Sequence, residues 1–404
     1  MKTKRNKSYL VYILTIILSI ILIYTGNQYT MGTAKFFDNE NNTPSVKAKV
    51  IKVIDKQKNV IDYGESTKLE ETTVLFSCKI LSGENKNKVV EASQSIDSTI
   101  YHNLKEVKLN DKVIICNMPN QTSDTSWVLI EYVRSDILIW LGISFFILLL
   151  LFGRFKGFNT IVSLTFTCLA VFFVFIPSIL TGRNIYYWSI ITCVFTILMT
   201  LLVIYGANKK SLAAGLGCFG GIIVSGLLTQ IMSKILSLTG FVSEESYYLT
   251  MMATNNPIDL KAIIFASIII GALGAIMDVS ISISSSLYEI YEQSEKQTIK
   301  SIIKSGIRIG QDIMGTMSNT LILAYIGSSL SMVLLLLTYN NSFIELLNRE
   351  LIVVEILQAL VGSIGILFTI PLTSIICGIL YNKNKYKHST EEETNVSLNN
   401  INNL

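Results

Sequence analysis

Residues 260–288 read LKAIIFASIIIGALGAIMDVSISISSSLY, an apolar run in which only Lys261 and Asp278 are charged. A helix crosses the hydrocarbon core of a bilayer, roughly 30 Å, with about 20 such residues. Comparable runs lie at about 9–25, 136–152, 158–180, 185–205, 212–238, 312–338 and 351–381. Together they predict an α-helical integral membrane protein of about eight transmembrane helices. Composition agrees: half of the chain is hydrophobic and 15% is charged, against about 25% in soluble domains.

Charge sets the expected orientation. The first run follows Lys2, Lys4, Arg5 and Lys7, and no small-residue cleavage site comes after it. This reads as a signal anchor over residues 1–25 with its N-terminus inside, cleavage being the alternative. The inside loops then carry Arg154 and Lys156, Lys209 and Lys210, and Lys296, Lys300, Lys304 and Arg308. The short outside loops hold mainly Arg183 and Arg349. A seven-helix membrane domain follows over 135–382. The polar, Asn-rich residues 383–404 are expected to form a disordered cytoplasmic tail.

Residues 26–134 are polar, with short β-branched runs at 46–54, 72–80, 88–92, 112–116 and 126–133. Ser82-Gly83 and Asn110-Asp111 supply turn chemistry between them. Five short strands suggest a small extracytoplasmic barrel, with the OB type as one form it could take. Cys78 and Cys116 both fall here, so a disulfide and two separate thiols are equally open.

Much chemistry is excluded. The two histidines, His102 and His388, lie outside the apolar runs, and neither H-E-x-x-H nor a P-loop occurs. No enzyme activity, cofactor or metal is expected, and a net charge of +4 gives no reason to invoke nucleic acid.

Three stripes stand out instead. In the sixth run Gly271, Ala275, Asp278, Ser282, Ser285 and Glu289 recur at spacings of four and three, one face of a helix. In the seventh, Arg308 and Asp312 stand at i, i+4, an expected ion pair near the membrane surface, followed by Gly315, Thr316 and Asn319. In the eighth, Glu355, Gln358, Gly362, Gly365 and Thr369 keep the same spacing. Small and hydroxyl side chains at such spacing are ordinary packing seams between membrane helices. Asp278 is different, because an acidic group at a helix centre costs about 2.5–3.5 kcal/mol and asks for water or protein around it. Between the runs, Ile299, Ile302, Ile303 and Ile307 alternate with Lys296, Lys300, Lys304 and Arg308. That pattern fits either a surface helix on anionic lipid or a plain topology signal.

The stretch Gly271-Ala-Leu-Gly-Ala-Ile-Met-Asp278-Val-Ser, with Ser284-Ser-Ser-Leu-Tyr-Glu289, resembles the signature of the YibE/F family of prokaryotic membrane proteins. So does Gly310-Gln-Asp312-Ile-Met-Gly315-Thr-Met-Ser-Asn319-Thr-Leu-Ile-Leu-Ala-Tyr325, along with Glu355-Ile-Leu-Gln358 and Gly362-Ser-Ile-Gly365. Gln311 departs from the basic residue that the family carries before the aspartate. The resemblance implies a bacterial cell membrane and, as partner, a shorter family member or a further copy of the chain; it implies no substrate.

Three functions follow as expectations. The first is a transporter or proton- or ion-coupled permease for a small solute or ion, using Asp278, Ser282, Asp312, Asn319, Glu355 and Gln358. The second is an envelope assembly or binding module that presents the β domain. The third, an intramembrane aspartyl protease on Asp278 and Asp312, lacks the G-x-G-D pattern.

Overall fold

The computed structural model describes residues 2–31, 45–62, 68–97, 105–118, 126–252, 258–293, 298–339 and 342–401. For residues 2–9, 59–62, 68–71, 97, 252, 339 and 382–401 it describes the backbone alone. Two compact units emerge, Lys35–Leu148 and Met1–Ala34 with Leu149–Leu404.

The first unit is built on five strands: β1 (Val46–Asp62), β2 (Lys68–Ile80), β3 (Val89–Asp97), β4 (Lys112–Asn117) and β5 (Trp127–Tyr132). They close into a barrel in the order β1-β2-β3-β5-β4, with β3 and β5 parallel and the other neighbours antiparallel. The expected strands are all present, and β1, β2 and β3 run longer than their β-branched runs. Alternation drives closure: Val46, Ala48 and Val50 of β1 and Val74, Phe76, Cys78 and Ile80 of β2 point into one core, with lysines between them on β1. Cys78 is a buried thiol that takes no part in a disulfide. A helix, α2 (Ser135–Ala170), starts directly after the barrel, and Asp136 in its first turn pairs with Lys112 Nζ at 2.6 Å and Lys47 Nζ at 3.4 Å.

The second unit is helical. It comprises α1 (Lys2–Met31), the rest of α2, a π-helical turn (Val171–Phe175), α3 (Ile176–Leu180), α4 (Ile185–Ile204), α5 (Lys209–Ile235), α6 (Glu244–Met252), α7 (Leu260–Gln293), α8 (Ile299–Ser328), α9 (Leu330–Tyr339), α10 (Phe343–Asn348) and α11 (Glu350–Ile401). Six helical segments among the described residues are long and apolar enough to cross a membrane, or seven if α8 and α9 form one bent span. One of the six, Ser135–Leu180, is 46 residues long, about 69 Å of helix, more than twice a bilayer core. It is broken at Arg154, whose φ of 46° and ψ of −126° no helix accommodates. The tail expected over 383–404 is described only as backbone, continuing α11 to Ile401.

Small residues set the packing of α5, α7, α8 and α11. A Cβ on Gly217 would strike Thr373 Oγ1 of α11 and Ser280 Oγ of α7, and one on Gly221 would strike Thr369 Oγ1. Ser280 Oγ donates to Ala214 O at 2.6 Å and Ser284 Oγ to Lys210 O at 2.9 Å, so α5 runs antiparallel to α7. Close backbones of this kind are the packing that membrane helices use in place of a hydrophobic drive.

Helix α8 departs from expectation in three ways. It begins at Ile299, where the crossing was expected at 312, and bends by 58° into α9. No surface helix forms from 299 to 311, because Ile302, Gly306 and Gly310 are buried, Gly306 against Ser374 and Gly310 against Ile370 of α11. Ile302 is therefore buried in protein, and Ile299 and Ile303 border Gly378 of α11. Further along, Leu321 lies against Gly362, so α8 descends α11 in the opposite direction.

Candidate functional site

The sequence-predicted residues fall into three places. The first is the end of the bundle where α7 and α11 begin. There Gln358 Nε2 donates to Ser267 Oγ at 2.7 Å. Tyr325 of α8 reaches across, its hydroxyl standing where a Cβ on Gly271 would be. The Glu355 carboxylate lies within electrostatic reach of that hydroxyl.

Glu355 Oε2 of α11 and Tyr325 Oη and Ser318 Oγ of α8 are shielded from solvent, with no hydrogen-bond partner among the described residues. A buried polar group is nearly always paired, and one left alone costs about 1–3 kcal/mol. Each such oxygen, one of them on a carboxyl, can accept a proton, a cation or an ordered water.

The second place is the face of α7 turned away from α5 and α11. Gly271, Gly274, Asp278, Ser282 and Glu289 are exposed there, while Ile276, Val279, Ser280 and Ile283 are buried on the other side. Of the expected stripe, Gly271, Asp278, Ser282 and Glu289 are exposed, while Ala275 and Ser285 are half-buried at its edges.

The third place is the outer face of α8. Arg308, Asp312, Gly315, Thr316 and Asn319 are exposed, opposite Ile302, Gly306, Gly310 and Leu321. The i, i+4 pair between Arg308 and Asp312 does not form: among the described residues neither side chain is in an ion pair. Asp312 lies thirteen residues into α8, counted from Ile299. It lies one half-turn past Gly310, which packs on Ile370, eleven residues or about 16 Å from Tyr381 at the end of the apolar stretch of α11.

The structure therefore brings Glu355 and Gln358 together and leaves Asp278 with Ser282, and Asp312 with Asn319, on two separate outward faces. The α11 stripe divides as well, since Gly362, Gly365 and Thr369 are packing positions against Leu321, Ser225 and Gly221. Ser267 and Tyr325 were missed. Ser267 was within reach of the sequence, for it extends the Gly271–Ala275–Asp278 spacing by one turn.

A family model for YibE/F-like proteins matches residues 141–383. The chain belongs to the YibE/F-like family. All three places lie inside the matched region, as do the resembling stretches around Asp278, Asp312 and Glu355. No curated protein and no solved structure matches the chain.

Proposed function

We propose that this YibE/F-like protein is a proton- or cation-coupled permease of the bacterial cell membrane and not an enzyme. One observation carries the reading: one carboxyl oxygen of Glu355 is held out of solvent within electrostatic reach of Tyr325, and neither that oxygen nor the Tyr325 hydroxyl has a hydrogen-bond partner among the described residues. Ionisable groups within membrane helices mark ion and proton paths far more often than they mark packing. Glu355 and Tyr325 take up the ion at the outer side, Gln358 and Ser267 orient them, and Asp278 with Ser282 accepts it deeper in the membrane. Asp312 and Asn319 lie at comparable depth on the neighbouring helix.

The orientation in this reading follows the lysines and arginines. Counting the stretch broken at Arg154 as two crossings and the bent α8–α9 pair as one gives eight, with both termini cytoplasmic. The barrel is then extracytoplasmic, and its strand order with β3 parallel to β5 supports the OB type.

The test is flux in vesicles carrying the purified chain and a pH-sensitive dye, under imposed proton, sodium and potassium gradients. Glu355→Gln and Asp278→Asn are each expected to abolish a flux the wild type supports. Undiminished flux in both variants rejects the permease.

A second reading, an envelope binding module, is favoured by the barrel's own closed core. Removing residues 40–130 separates the two: flux that survives the deletion leaves the barrel no part in transport, and a lost envelope phenotype with intact flux assigns it the binding role.

A further inference from the structure

The outward face of α8 has charge without counter-charge at mid-span. Arg308 and Asp312 are exposed and make no ion pair among the described residues, and Asp312 sits level with the middle of the α11 apolar stretch. Acyl chains cannot satisfy an aspartate there, and a helix ordered in a bilayer does not leave one facing lipid. Water alone would not need the rest of the face. One turn beyond Asp312, no atom stands within 4 Å of where a Gly315 side chain would be, so another backbone can approach closely. One turn further, Asn319 is exposed with a donor and an acceptor.

We propose that this face is the docking seam for a second copy of the chain, with Arg308 of each copy reaching the partner's Asp312. Charge complementarity selects that occupant. Two copies inserted in the same direction are related by a two-fold axis along the membrane normal, so their α8 helices run side by side and parallel. Arg308 and Asp312 differ by four residues, about 6 Å of rise, a step the long arginine side chain spans. The two-fold then makes the pair twice with one set of residues, closes the seam at Gly315 and sets Asn319 against the partner's Asn319. A seam of this kind needs both signs on one face, an open glycine and a polar residue on the same line, and α8 supplies all of them. The inference rests on the membrane reading above but not on transport.

The experiment uses two full-length copies with different tags, co-expressed, washed from membranes at alkaline pH to establish insertion, and then captured through one tag. The wild-type pair is expected to co-capture. Arg308→Asp places acids at both positions of the proposed pair and Asp312→Arg bases at both, with Lys304 one turn before them unchanged, so each variant is expected to lose capture of itself. Mixed with each other they restore both cross-copy pairs, and capture is expected to return. An ion pair within one helix gives no such rescue, because mixing copies changes no contact inside either α8. Wild-type copies that remain in the alkaline-washed membrane and fail to co-capture overturn the proposal. So does self-capture by both single variants, or failure of the mixture while each variant is present at the wild-type level. Loss of all copies from the washed membrane would instead overturn the membrane reading beneath it.

Discussion

At the scale of single residues, the best-supported polar contact in the helical unit is one that no stripe suggested. Glu350, the first residue of α11, accepts from Thr239 N at 2.7 Å, Thr239 Oγ1 at 2.7 Å and Gly240 N at 2.6 Å. It fastens the turn after α5 to the start of the last helix, 110 residues away. Gly240 must be glycine for this, since its φ is +94° and a Cβ there would strike Leu260. Charge-assisted bonds of this sort contribute about 1.5–3 kcal/mol each where they are shielded, and less where, as for Thr239, water reaches them. Glu350→Ala is expected to lower the stability of the detergent-solubilised chain by about 1–3 kcal/mol. The check is a thermal melt read by fluorescence. A melt unmoved by the substitution would mean that the clasp forms only as a passive contact.

At the scale of elements, the pairing of α8 with α11 decides which glycines matter. A Cβ on Gly310 would collide with Ile370, whereas one on Gly315 meets nothing within 4 Å. Overpacking a close contact costs about 1–3 kcal/mol, and replacing an unconstrained helical glycine by alanine gains up to about 1 kcal/mol. Gly310→Ala is therefore expected to destabilise the isolated chain and Gly315→Ala to leave it equal or slightly stronger, compared by melts of the two variants in detergent at a dilution that keeps copies apart. The same helix explains where sequence reading stopped. Apolar runs located most of the long apolar helices, because such runs satisfy their backbone within each helix. Residues 299–311 escaped that logic, for Lys300, Lys304 and Arg308 lower the local hydropathy, while Ile302, Gly306 and Gly310 form a buried face that only α11 reveals. The spacing of Asp278 and Glu355 was legible, and so was the face each occupies. What each face meets was not, because that depends on which helices lie next to it: α11 covers one side of α8 and leaves Asp312 on the other.

Helix α1 is tied to the bundle through the π-helical turn. A π-turn leaves a carbonyl without its usual helical donor, and Asn27 Nδ2 donates to Phe173 O there at 2.7 Å. Arg183 adds a bond to Tyr29 O at 2.9 Å and stacks over the Tyr29 ring at 4.2 Å. The first apolar run is thus a packed element of the helical unit, which its amino-acid pattern of an anchor did not reveal.

At the scale of the whole molecule, the chain consists of two units with separate cores, and each core is closed by different physics. The barrel excludes water from Phe76, Cys78, Ile80 and Ile115, all fully buried, so the hydrophobic effect stabilises it. The helices rely on close backbone contact and buried hydroxyls such as Ser280 and Thr373, 3.0 Å apart. A defect in one core should then leave the other intact. Phe76→Ala is expected to cost the barrel about 3–5 kcal/mol. For a domain of this size that is a fall of about 10 °C or more in its melting point. Cys78 supplies a local reporter, because burial pushes its thiol up to about 11. Below that pH the native thiol stays protonated and enclosed, and a maleimide reaches it only when the barrel opens. Peptide mapping of labelled Cys78 against temperature is expected to shift downward in Phe76→Ala, while labelling of Cys218, buried between α5 and its neighbours, keeps its wild-type profile. If both cysteines became reactive together at the lower temperature, the two cores would have to unfold as one cooperative unit, and the division of the chain into a water-closed barrel and a contact-closed bundle would fail.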